Sequence, residues 1–91
     1  MNEIVLYTRP GCHLCRDTQA ILVALLAERQ AAGQPEARLV ERDISLDPDL
    51  ERSWFSLIPV VEIGDRRLTL ATSPSRLRRF VDDALAVAAP R

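Results

Sequence analysis

Apolar and polar positions change period several times along the 91-residue chain, and each change predicts an element. Residues 3–8, Glu3-Ile4-Val5-Leu6-Tyr7-Thr8, form an apolar run closed by Arg9-Pro10-Gly11. This predicts a strand buried on both faces and ended by a turn. From His13 the period becomes helical: Leu14, Thr18, Ile21, Leu22, Leu25 and Leu26 share one face, with Arg16, Asp17, Gln19 and Arg29 mostly opposite. Interspersed alanines favour the helix, and Gly33 followed by Pro35 ends it. Residues 38–43 read as a second strand, with Leu39 and Val40 toward the core. Asp47-Pro48-Asp49 then supplies an N-cap, a proline at the first helical position and an acid in the first turn. The short helix that follows directs Leu50, Trp54 and Phe55 to packing. Residues 58–63 resume strand character, and Gly64-Asp65 is a hairpin loop returning the chain antiparallel over 66–70, with Leu68 and Leu70 on one face. Ser73-Pro74 opens the last helix, in which Leu77, Phe80, Val81, Ala84, Leu85 and Ala88 make an amphipathic stripe.

The order βαβαββα places the chain in the α/β class. Its first βαβ unit requires a right-handed crossover between parallel strands, and the closing hairpin adds antiparallel ones. A four-stranded mixed sheet flanked by helices on both faces buries every apolar stripe. Residues 1–91 are too few for a second domain, and no repeat or linker interrupts them.

Composition narrows the function. Twelve cations, all arginine, and thirteen acids give a net charge of -1, which lacks the footprint of a nucleic-acid or membrane-surface binder. Apolar runs stay far below the ~20 residues that span a bilayer. The opening Met1-Asn2-Glu3 has no basic region followed by an apolar stretch, so a cytoplasmic protein is expected; a monomer is expected as well.

Two cysteines are too few for a disulfide scaffold, yet they stand together as Cys12 and Cys15 where the first strand gives way to the first helix. Amides at a helix start point outward and the dipole there is positive, so a Cys12 thiolate is favoured. The spacing puts Cys15 one turn behind, within bonding reach. Cys12 is thus the expected attacking thiol and Cys15 the resolving one. The competing readings are two inert core cysteines, or a metal site for which the chain supplies only His13 as a further nitrogen or sulfur ligand; no metal is expected.

Tyr7-Thr8-Arg9-Pro10-Gly11-Cys12-His13-Leu14-Cys15 resembles the active-site segment of glutaredoxins and of small bacterial glutaredoxin-like proteins. Ile58-Pro59-Val60 resembles the cis-proline loop of thioredoxin-fold proteins, and the element order matches along the whole chain. The resemblance implies a thioredoxin-like fold, a cis bond before Pro59 and thiol–disulfide exchange on protein or glutathione mixed disulfides, serving cell redox homeostasis. It implies no bound cofactor, with electrons from glutathione or a flavoprotein disulfide reductase. It also implies that residue 58 presents a free backbone N–H and C=O to an extended substrate. Arg9, where glutaredoxins usually carry lysine, would favour the thiolate and hold a carboxylate of glutathione. His13 would tune the pair when protonated. Tyr7 either flanks this site or belongs to the core. The chain departs from glutaredoxins at Ala71-Thr72-Ser73-Pro74-Ser75, where a glycine pair and an acid are expected; Thr72 and Ser73 at a helix start remain as candidate carboxylate binders. The first strand carries no acid after Glu3 to accept a proton from Cys15, unlike thioredoxins. The alternative function is a redox sensor or interaction module that does not turn over.

Overall fold

The computed structural model describes residues 2–88. Strand β1 (Asn2–Thr8) leads through a tight turn into helix α1 (His13–Ala31), which returns to strand β2 (Ala37–Asp43). A single 3-10 turn (Ile44–Leu46), helix α2 (Pro48–Trp54), strands β3 (Val60–Ile63) and β4 (Arg66–Leu68), and helix α3 (Pro74–Ala88) follow. The sheet order is β2-β1-β3-β4. β1 runs parallel to β2, with Leu6 opposite Glu41, and antiparallel to β3, with Tyr7 opposite Val60. The β3–β4 hairpin closes across Ile63 and Arg66. Gly64 turns it at φ +61°, the sign that a hairpin with glycine first requires.

Side chains alternate across the sheet, so each face takes its own helices. Ile4, Leu6, Val61 and Ile63 pack against Leu22 and Leu25 of α1 and Leu77, Val81, Ala84 and Leu85 of α3. Burying each of these large side chains stabilises the fold by about 1.5–3 kcal/mol. On the other face Tyr7 and Val60 meet Ile44, Leu50, Trp54, Leu57 and Ile58. Asp47 fixes the start of α2 by accepting from the N–H groups of Asp49 and Leu50 at 3.0 and 3.4 Å. One short helix covers that face only in part, so Val5 is half-buried rather than enclosed on both sides.

Four side chains depart from the periodicity. The buried stripe of α1 is Cys15, Thr18, Leu22, Leu25 and Arg29. Leu14 is one step of ~100° away from that stripe, and it lies 53% exposed. Arg29, expected outside, is buried because α3 crosses the end of α1 there: its Nε donates to the Pro35 carbonyl at 2.9 Å and Nη1 to Asp82 Oδ1 at 2.8 Å. Phe55, expected to pack, is 59% exposed. Leu70 was expected in the hairpin beside Leu68. Instead β4 ends at Leu68, and Leu70 turns to φ +48° with 52% of its surface exposed. The packing expected of Ala88 lies outside the described side chains.

Candidate active site

Gly11, at φ +81° with nothing within 4 Å of a built Cβ, makes the left-handed turn that brings Cys12 to the start of α1. The Cys12 N–H donates back to the Arg9 carbonyl at 3.3 Å. Cys12 is extended and caps the helix: its Sγ accepts the Cys15 N–H at 3.1 Å. Its carbonyl takes the first α-helical bond from Arg16 at 3.2 Å. The two cysteines form a disulfide with Cα atoms 5.3 Å apart. Cys12 is half-buried, whereas Cys15 is 2% exposed, so the two sulfurs are unequal in access.

Both cysteines border a cavity of about 260 Å³, whose wall also includes Arg9, Arg16, Gln19, Glu41 and Asp43. Glu41 and Asp43 escape a motif search because they sit on β2, far from the cysteines in sequence. Their alternation with Leu39 is the only signal that they share its face. Gln19 Nε2 donates to Glu41 Oε2 at 3.3 Å, and Asp43 Oδ1 accepts from the Ser45 N–H and hydroxyl at 2.8 and 2.6 Å. Arg9 reaches this cavity while its guanidinium lies over the Phe55 ring, 5.3 Å from the centroid. His13 is the first residue of α1 and is exposed. A larger groove of about 670 Å³ between α1 and α3, lined by Ile21, Glu28, Arg78 and Asp82 among others, contains neither cysteine.

The Ile58–Pro59 bond is cis, and Val60 continues from it into β3 beside Tyr7. The Ile58 N–H is not free as expected: it donates to the Trp54 carbonyl at 3.2 Å, sharing that oxygen with the Leu57 N–H at 2.9 Å. The carbonyls on either side of Ile58 are also engaged. Leu57 accepts from the Leu70 N–H at 2.8 Å, and Pro59 from the Ala71 N–H at 2.9 Å. Thr18, fully buried one turn beyond Cys15, donates its hydroxyl to the Ala71 carbonyl at 2.6 Å. This bond ties α1 to the loop alongside Pro59. Motif reasoning misses it, although a threonine on the apolar face of a helix was its signal.

Thr72 is exposed and its N–H donates to the Leu70 carbonyl at 2.9 Å. Ser73 caps α3, its Oγ accepting from the Arg76 N–H at 3.3 Å and its carbonyl from Leu77 at 2.9 Å. Tyr7 belongs to the core: it is 6% exposed, edge-on to Trp54, and donates its hydroxyl to Glu62 Oε1 at 2.8 Å. Burial first, then the Glu62 carboxylate, push its phenol above the usual value of 10.0. Arg67 completes the group, paired with Glu62 and lying 4.8 Å from the Trp54 ring centroid.

The profile of the family described as "Glutaredoxin-like domain (DUF836)" matches residues 3–84. No curated protein matches the chain. Among solved structures, structural-genomics target protein XcR50 from X. campestris is similar at 29% identity and a TM-score of 0.62, over 96% of this chain and 99% of that one. The oxidized form of mitochondrial thioredoxin 3 from Saccharomyces cerevisiae is similar at 18% identity and a TM-score of 0.63, over 90% and 77%. The germline-specific thioredoxin Deadhead from Drosophila melanogaster is similar at 15% identity and a TM-score of 0.60, over 90% and 79%. The last two likenesses establish the thioredoxin-like fold.

Proposed function

The chain belongs to the glutaredoxin-like domain family, and we propose that within it this protein is a thiol–disulfide oxidoreductase that reduces protein or glutathione mixed disulfides. The observation that carries this reading is the unequal pair: a partly exposed Cys12 whose sulfur caps α1, bonded to the buried Cys15 one turn inside. In the reduced protein the Cys15 N–H and the helix dipole favour Cys12 as the thiolate. That thiolate attacks one sulfur of a substrate disulfide, breaking its S–S bond, forming a Cys12–substrate disulfide and releasing the first substrate sulfur as a thiolate that takes up a proton. Cys15 then loses its proton and attacks Cys12 Sγ. The Cys12–Cys15 bond closes, and the second substrate thiolate leaves and takes up a proton.

Glutathione or a flavoprotein disulfide reductase would return the dithiol, with no cofactor bound to the chain. Arg9 and His13 are the tuning residues of this proposal, and Ile58, Pro59, Thr72 and Ser73, with Arg9, its substrate-side residues. The setting proposed is cytoplasmic; among the described residues no helix is long and apolar enough to cross a membrane.

Two variants test the roles. Cys12→Ser should abolish reduction of a model disulfide, and Cys15→Ser should accumulate a mixed disulfide visible by mass. Full activity in Cys12→Ser refutes the reading. A partner whose affinity changes between the oxidised and reduced protein, with negligible turnover, would select the sensor alternative.

A further inference from the structure

Phe55 stands at the end of α2 with 59% of its surface exposed, an unfavourable place for a phenyl ring in water. Its backbone is fixed, the N–H donating to the Glu51 carbonyl at 2.9 Å, and its neighbour Trp54 packs against the core. One step of ~100° around the helix turns Phe55 away from that core. The ring meets Arg9 instead, whose guanidinium lies 5.3 Å from its centroid. Arg9 belongs to the turn before the cysteines: its carbonyl accepts the Cys12 N–H, and the residue lines the cavity that both cysteines border. The acids of that cavity have neutral partners, Glu41 in Gln19 and Asp43 in Ser45. Among the described residues the ion pairs use Arg29, Arg38, Arg52, Arg67 and Arg78, so Arg9 brings its charge to the cavity without a carboxylate of its own.

An aromatic ring and a carboxylate do not compete for one guanidinium. The ring takes the flat face, whereas the N–H donors lie in the plane and receive a carboxylate edge-on. Resting on Phe55, Arg9 is ordered before a substrate arrives, and less side-chain freedom is lost on binding. We infer that Phe55 is a positioning residue: its ring holds the Arg9 guanidinium at the edge of the cysteine cavity and so sets a preference of the exchange for disulfides that carry a carboxylate close to sulfur. A cavity of about 260 Å³ suits a small acid rather than a bulky segment. This inference rests on the oxidoreductase reading.

A single turnover isolates it. Pre-reduced protein is mixed with an oxidised substrate and no other reductant, so that one substrate disulfide becomes two thiols as Cys12 and Cys15 become one disulfide. The small substrates are dithiodipropionate, an anion, and bis(2-hydroxyethyl) disulfide, which is neutral. Each rate is divided by that of dithiothreitol with the same disulfide, which removes differences in intrinsic reactivity. Two disulfide-linked peptide dimers, identical except for glutamate or glutamine before the cysteine, show whether a polypeptide supplies the carboxylate as well. The variants are Phe55→Leu, which removes the ring, Phe55→Tyr, which keeps its face, Arg9→Gln, and the double variant with Phe55→Leu.

Wild type is expected to favour the small anion over the neutral disulfide about tenfold after that correction. Phe55→Leu should cut the preference roughly two- to fivefold, Phe55→Tyr should keep it, and Arg9→Gln should bring it near one. Phe55→Leu should leave the rate with the neutral disulfide and the unfolding temperature close to those of wild type. On the Arg9→Gln background it should change the preference no further. A preference shared by the glutamate peptide extends the carboxylate source to polypeptides, and one confined to the small anion assigns it to a small thiol; both support the inference. No preference for the small anion in wild type, a preference untouched by Phe55→Leu, equal slowing of both small substrates, or an effect of Phe55→Leu that persists without Arg9 overturns the inference while the oxidoreductase reading stands. A wild type that reduces none of the disulfides overturns both.

Discussion

Replacing Thr18 with valine keeps the shape of the side chain and removes its hydroxyl. Thr18 is fully buried, and its Oγ1 is 2.6 Å from the carbonyl of Ala71, which is itself 2% exposed. The substitution leaves that carbonyl facing a methyl group out of reach of water. An unmet buried hydrogen-bonding group costs about 1–3 kcal/mol, so a loss near ~2 kcal/mol is expected. In a domain of this size, each kcal/mol moves the unfolding midpoint by roughly 4–8 °C, giving a drop of roughly 8–16 °C. Thr18→Ser makes the opposite cut, keeping the hydroxyl and losing one methyl, for about 1 kcal/mol. Urea unfolding of the oxidised protein, followed by the fluorescence of Trp54, the single tryptophan, measures both, and the slope against urea should stay constant. Exchange of the Ala71 amide should also quicken in the valine variant, because the loop loses its hold on α1. A Thr18→Val protein within about 0.5 kcal/mol of wild type, or a serine variant worse than the valine one, would show that the buried bond does not anchor this loop.

Two further outcomes follow from the buried polar groups. Because the Tyr7 phenol is held above its usual 10.0, the unfolded chain gives up this proton first as pH rises. The unfolded state then binds fewer protons than the folded one, so stability should fall as pH climbs past about 10. Tyr7→Phe should flatten that part of a stability–pH curve, and an unchanged slope would refute the assignment. Arg29 is 8% exposed at its side chain while its partner Asp82 is 55% exposed, so much of its contribution is the packed stem rather than the ion pair. Denaturant titration should show Arg29→Ala losing about 2 kcal/mol and Arg29→Met about half of that; equal losses would assign the whole effect to the charge.

The parts of the fold legible in the sequence were those set by local pattern. β1, the two long helices, the Gly64 hairpin and the Asp47 cap each depend on residues within a few positions of one another, and they stand where the pattern puts them. Cys12 and Cys15 were legible for the same reason: turn, cap and helix start are contiguous. Contacts between distant segments were not legible. Nothing within residues 25–33 marks Arg29 for burial, since the burial is imposed by Asp82 of α3, and nothing in the hairpin pattern marks Leu70 for a left-handed turn. That turn is imposed by the Leu57 and Pro59 carbonyls. Glu41 and Asp43 reach the cysteines only through the parallel pairing of β1 with β2, which sets Glu41 opposite Leu6.

That pairing also bears on how the second half of the proposed exchange would handle its proton and its charges. Leu6, apolar and fully buried, stands opposite Glu41 in the β1–β2 pairing, and the carboxylates of Glu41 and Asp43 stand one strand further out, on the cavity wall. At the other end of the site, the start of α3 has few amides to offer an anion. Pro74 has no N–H, Arg76 donates to the Ser73 hydroxyl and Leu77 to the Ser73 carbonyl, leaving Ser75 as the first-turn donor. The arginines near the disulfide are Arg9 and Arg16, on the cavity side rather than the α3 side. In the exchange proposed above, a donor carrying carboxylates would meet the guanidinium groups of Arg9 and Arg16 in the cavity beside β2.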